Sequence, residues 1–184
     1  MTSEDRGGGN PSPGPDPFAL LGLAPGYDLD LDALERAYHE RSRALHPDRF
    51  ASAPAAERVA ALTQSRALND AYQLLRRPTR RAEHLLARAG IAIGDHERLE
   101  PAFLMEILEL REALAEARIA GRLDDVTRMQ ADMQARQQAL VASLAPAFAA
   151  GELAAAKRAL ITLRYVDRYL EECDAVLDAA DAEA

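Results

Sequence analysis

The chain has 184 residues, a formal net charge of −8, a single cysteine and no tryptophan. That length fits one domain or two small ones, and one cysteine excludes a disulfide framework. No apolar run approaches the ~20 residues of a membrane span. Richness in Ala, Leu, Glu and Arg, with almost no Val/Ile/Thr alternation, points to an all-α protein.

The charge is unevenly placed. Residues 1–94 carry 12 acidic and 12 basic side chains, and residues 95–184 carry 18 and 10, so the whole excess lies in the second half. Within the first half, Arg58 to Arg88 holds seven Arg against Asp70 and Glu83. A nucleic-acid binder is expected to show a stronger basic excess. A local basic face on a neutral domain suits an acidic protein partner better. No secretory signal is visible, and the first residues are acidic and Gly/Pro-rich, unlike a transit peptide. A cytoplasmic protein of bacterial type is the simplest expectation.

Residues 1–15 cannot bury anything and are expected to form a disordered tail. Asp16 and Pro17 then open a short helix as N-cap and first helical residue, anchored by Phe18, Leu20 and Leu21 and closed by Gly22. A Pro/Gly/Asp loop covers 24–30. From Leu31 an amphipathic helix begins, with Asp32 and Glu35 spaced as a capping box. Leu34, Tyr38 and Leu45 form its apolar stripe, and Arg36, His39, Arg41 and Arg43 supply donors around the rest. Pro47 disfavours the α region for His46, so the helix ends there. Pro47 also fixes its own φ. The result is a stiff corner displaying His46 and Asp48, and Asp48 is a two-oxygen acceptor suited to an arginine fork.

After a loop over 51–55, a long helix is expected from about Pro54 to Arg77, with Val59, Leu62, Ser65, Leu68 or Asn69, Tyr72 and Leu75 inward. It should run antiparallel to the previous helix and leave the corner at the open end. Pro78 stops it, and a shorter helix covers Thr79 to Arg88. Residues 89–100 read as a linker, in which the Ile91–Ile93 piece is a candidate for packing between the two parts. Three helices follow, at about 101–120, 123–149 and 152–180. In the last, Leu163, Val166, Leu170, Cys173 and Leu177 step 3-4-3-4, a bundle seam, which makes Cys173 a small core residue rather than a reactive thiol.

The first bundle helix has two faces. At about 100° per residue, Phe103, Ile107, Leu110 and Leu114 share a ~60° arc and should face the sister helices. Leu104, Met105 and Leu108 point elsewhere, with Glu109 and Glu112 on the same outer side. Periodicity alone leaves two readings open. These residues form an exposed apolar patch rimmed by carboxylates, as partner sites do, or the helix is buried more widely.

The corner and its flanking helices resemble a J-domain, the module that activates the ATPase of seventy-kilodalton heat-shock chaperones. The segments DPFALLGL (16–23), HPDRF (46–50), LNDAYQLLRRPTRRAEHLL (68–86) and FLMEILELREAL (103–114) look like the HscB family, the J-type co-chaperones of iron–sulfur cluster assembly. The likeness runs from about Asp16 to about Leu177. It implies a J-domain over 16–88, a helical hairpin with two short helices, and a C-terminal three-helix bundle over 101–180, with no enzymatic activity and no cofactor. It implies that His46, Pro47 and Asp48 are the triad engaging an HscA-like chaperone, with Arg36, His39, Arg41 and Arg43 steering it. It also implies that an IscU-like scaffold docks at Leu104, Met105, Leu108, Glu109 and Glu112, and at Tyr165 on the last helix, where the family often has Phe.

Two other classes compete. One is a J-protein serving general folding with another client, but the Gly/Phe-rich linker and zinc-binding repeats usual in such proteins are missing. The other is a small helical enzyme or metal protein. His39, His46, His84 and His96 are scattered, with no zinc-site spacing and no phosphate-binding glycine loop after a strand. Neither a nucleic acid nor a membrane is an expected partner.

Overall fold

A computed structural model describes residues 15–94, 97 and 99–183. The expected tail, apart from Pro15, and His96 fall outside them. Seven α-helices occur among the described residues and no strand: α1 Pro17–Leu21, α2 Leu31–Ala44, α3 Ala55–Arg76, α4 Pro78–Arg88, α5 Pro101–Ile119, α6 Leu123–Ala149 and α7 Leu153–Glu183. A single 3-10 turn, Pro47–Phe50, follows α2. None of these helices is long and apolar enough to cross a membrane.

The chain divides into two compact units. The first comprises the residues up to Pro25 together with Leu29–Arg76, and the second comprises Gly26–Asp28 with Arg77–Ala184. In the first, α1 is set as its residues dictate. The Asp16 carboxylate accepts from the Phe18 amide, Pro17 opens the helix, and Gly22 ends it with φ +66°. A side chain at Gly22 would also collide with the Arg41 guanidinium. The α2 cap differs from expectation. Asp30, not Asp32, accepts from the amides of Asp32 and Ala33, because an N-cap bonds amides two and three residues ahead. Phe18, Leu21, Leu34, Leu68 and Leu75 form the core of this unit, each at most 3% exposed.

The expected inward stripe of α3 holds only in its second half. Leu68 and Leu75 are buried, but Val59 and Leu62 are 63% and 59% exposed. Ala61 and Ala71 take buried positions instead.

The second unit holds α4 as well as the three long helices. Ala82 and Leu86 of α4 are fully buried in a cluster with Leu144, Leu160 and Leu163. In the division into compact units, α4 therefore groups with the helices that follow it. The reason is the apolar side of α4, which is satisfied by α6 and α7. Ile91 and Ile93 pack on this same cluster. Polar ties hold the segment that follows. The Gly94 amide donates to Glu97 (3.0 Å) and the Arg164 guanidinium donates to the Gly94 carbonyl (3.0 Å). Lys157 lies 2.8 Å from Glu97, and that bond holds the Glu97 carboxyl below its ordinary range.

Tyr27 belongs to this unit too. Its ring is 8% exposed and stacks on Phe148 with centroids 5.1 Å apart. The Arg81 guanidinium lies 5.0 Å from its centroid. Burial pushes the Tyr27 hydroxyl pKa up and the Arg81 pKa down, and each opposes the other's shift through attraction. Tyr27→Ala should remove a large aromatic contact and cost about 3 kcal/mol of stability. Tyr27→Phe should stay within about 1 kcal/mol, since only a hydroxyl is lost. Urea denaturation of the full chain checks both.

A second cluster, farther along the bundle, joins Leu114, Ala117, Val126, Met133, Val166, Tyr169, Leu170 and Cys173. The seam on α7 thus lies where its 3-4 spacing put it. Burial raises the Cys173 thiol to about 11 and the Tyr169 hydroxyl to about 12. A thiol so raised has almost no thiolate at neutral pH.

Candidate functional site

The proline corner closes on itself. The α2 helix ends at Leu45, whose amide bonds the carbonyls of Arg41 and Ser42. His46 is extended, φ −60° and ψ 133°, as a residue before proline must be. Its Nδ1 accepts from the Asp48 amide at 3.3 Å, and its carbonyl accepts from the Arg49 amide at 3.0 Å. The Asp48 carboxylate lies 3.4 Å from the same Nδ1, and the His46 and Asp48 side chains are 60% and 89% exposed. His46 therefore ties the turn, and Asp48 offers its charge to solvent.

The four basic residues of α2 do not form one face. Arg36, His39 and Arg43 share a shallow surface with Asp32, Glu35 and Glu40. His39 lies 3.5 Å from Glu35, and Arg36 lies 3.7 Å from Asp30. This surface is mixed in charge. Arg41 points about 140° away from Arg36 and lies over Gly22, at the carbonyl end of α1, where a cation is favoured. The basic excess concentrates nearer the corner, in the last turn of α2 and at Arg49 of the 3-10 turn.

On α5, Ile107, Leu114 and Ala117 are buried, and Phe103 and Leu110 are half-buried. Leu104, Met105 and Leu108 are 44%, 57% and 51% exposed, and Glu109 and Glu112 are exposed beside them. The flanking ion pairs set the rotation of the helix. Arg111 makes a two-pronged bond to Glu172 of α7, at 2.7 and 3.1 Å. On the opposite flank, Glu106 pairs with Arg136 of α6, whose guanidinium sits 4.9 Å from the Phe103 ring centroid. Held on both sides, α5 presents Leu104 and Leu108 on the flank toward α7, and Met105, Glu109 and Glu112 farther round.

Tyr165 of α7 joins the first group. Its ring meets Phe103 edge-on, with centroids 6.4 Å apart, and is half-buried. Arg168 lies 5.8 Å from the Tyr165 centroid. The structure thus brings Leu104, Leu108 and Tyr165 to one side of the α5–α7 pair. Sequence reasoning missed Arg111, Glu172, Arg136 and Arg168, whose spacing carries no sign of pairing between helices. Ile119, 87% exposed at the end of α5, was missed as well. It lies about 160° from Phe103, on the same side as Leu108, and the periodicity could have found it.

Residues 99–174 match the family described as the HSCB C-terminal oligomerisation domain. A co-chaperone protein HscB homolog of Azoarcus sp. (strain BH72) is 34% identical over 169 residues, spanning 90% of this chain and 96% of that one. The corresponding protein of Aeromonas hydrophila is 36% identical over 167 residues, 88% and 96% of the two chains. Among solved structures, the chaperone HscB from Vibrio cholerae superposes with a TM-score of 0.77 at 33% identity, covering 90% of this chain and 99% of that one. The human co-chaperone protein HscB gives a TM-score of 0.77 at 27% identity, with 94% and 91% covered. With a proline-cornered helical hairpin in one unit, a helical bundle in the other, and relatives aligned over nearly their whole length, this chain belongs to the HscB family of co-chaperones.

Proposed function

We propose that the chain serves iron–sulfur cluster biogenesis by holding two macromolecules at once. The second unit binds an IscU-like scaffold through Leu104, Met105, Leu108 and Tyr165, with Glu109 and Glu112 as the acidic rim. The first engages an HscA-like chaperone and stimulates its ATPase. Asp48 accepts an arginine of the chaperone, His46 and Pro47 hold the corner in shape, and Arg36, His39 and Arg43 supply long-range attraction. Arg41 acts on this reading chiefly by bracing α1 against α2. The module over 16–88 acts as the J-domain, and 101–180 acts as the scaffold-binding part.

One observation carries the proposal. Two surfaces with different chemistry, a charged corner and an apolar strip, are both left exposed. An apolar strip of this size on a helix face is a partner site rather than core. Linking the two sites on one chain makes the second binding event effectively intramolecular. The scaffold is thereby presented to the chaperone at high local concentration.

ATP turnover by a cognate HscA-like chaperone tests this directly. It is measured with this protein alone, with the scaffold alone, and with both. Stimulation by both together should exceed the sum of the separate effects, and a merely additive response would overturn the two-site reading.

A further inference from the structure

Val59 and Leu62 are exposed because of the hairpin register. Tyr38 of α2 stacks on Tyr72 of α3 with centroids 4.3 Å apart, and its hydroxyl donates to Asn69 Oδ1 at 3.4 Å. Advancing from Tyr38 to Ala44, the last residue of α2, moves the facing position on an antiparallel α3 back to about residue 63–66. Residues 55–62, about two turns and ~12 Å of helix, therefore have no α2 opposite them. Leu62 stands seven residues before Asn69, so the two share a flank to within about 20°. That flank meets α2 at Asn69. At Leu62 it is bare, because α2 has stopped for the proline corner.

The bare turns are bordered by positive charge. Arg58 and Arg66 are exposed and lie about 100° and 20° from Val59 around the helix. Glu57 projects about 160° away from Val59. The 3-10 turn that carries Asp48 packs on α3, and only a short loop separates it from Ala55. An apolar pair edged by arginines thus stands on the same helix against which the turn carrying His46 and Asp48 packs.

We propose that Val59 and Leu62 are a second anchor for the chaperone that takes Asp48, receiving an apolar ridge bordered by carboxylates. This rests on the J-domain reading above and adds to it. Asp48 and the α2 cations recognise charge, which steers encounter and sets register. The apolar pair supplies burial, which slows departure. Polar replacement should therefore weaken binding and leave the stimulated rate at saturation intact.

The test titrates the full-length chain against the ATP turnover of the HscA-like chaperone at saturating scaffold. Four proteins are compared: parent, Val59→Ser/Leu62→Ser, Val59→Ile/Leu62→Met, and Asp48→Asn. The serine pair should raise the half-maximal concentration about tenfold from lost apolar burial, with the same plateau and unchanged scaffold affinity. The Ile/Met pair keeps the apolar area and should remain close to the parent. An unchanged half-maximal concentration for the serine pair, alongside loss of stimulation by Asp48→Asn, overturns the inference alone. Normal stimulation by Asp48→Asn overturns the parent reading, and this inference falls with it. A serine pair that changes only the solution mass would make a second copy of this chain the occupant, and that too overturns it.

Discussion

A chain carrying Asp48→Asn should bind the scaffold as the parent does and fail to stimulate the chaperone. The side chain is 89% exposed, so its replacement has little effect on folding. Asparagine keeps the size of the carboxylate, and the backbone bonds of the turn do not involve the side chain that changes. What disappears is the charge and the two-oxygen acceptor that fits a guanidinium fork. Truncating one side of such a contact commonly costs about 2–5 kcal/mol, enough to abolish stimulation at ordinary concentrations. His46→Gln should act in the same direction by another route. It removes the ring Nδ1 that accepts from the Asp48 amide, so the carboxylate is no longer held in one direction. Stimulated ATP turnover and scaffold titration on the same preparations separate the two functions. Parent-like stimulation by His46→Gln would remove the corner from the mechanism.

The second large effect is expected at the other unit. Replacing Leu104, Met105 and Leu108 together by serine should lower scaffold affinity by about two to three orders of magnitude. Each side chain exposes roughly half its area, and covering that area is worth about 1 kcal/mol or somewhat more per residue. The fold should survive, because α5 is held by Ile107, Leu114 and Ala117 on its buried face and by the Arg111–Glu172 bond. Stimulation without scaffold should be unchanged, while the more-than-additive response with scaffold is lost. Calorimetric titration of the scaffold and ATP turnover check the two halves. Tyr165 is a poorer probe, since its edge contact with Phe103 mixes binding with packing. Full scaffold affinity in the triple variant would show that the exposed strip serves something else.

Much of the chain is legible in its sequence. Asp16, Pro17 and Gly22 bound α1 as their chemistry requires. The α6 limits, Leu123 and Ala149, lie where the sequence pattern puts them, and the α7 seam through Leu163, Val166, Leu170 and Cys173 is buried as spaced. These signals act within one or two turns, so they need no knowledge of the partner helix. The exposed strip on α5 was half legible. Periodicity separated Leu104, Met105 and Leu108 from the buried arc, but it could not say whether another element covered them.

What the sequence determined by itself is therefore local: all-α class, helix ends, the proline corner, and which residues of a helix share a side. Tertiary structure alone decided which sides are covered. α4 went to the second unit because α6 and α7 received Ala82 and Leu86. Tyr27 left its own neighbours in the chain to lie against Phe148 and Arg81. Arg41 turned to the end of α1, and Val59 and Leu62 stayed in solvent because α2 ends about one to two turns too soon to meet them. Burial is a property of register between elements far apart in the chain. A one-dimensional pattern specifies an apolar face but not the length of the element that will arrive to cover it.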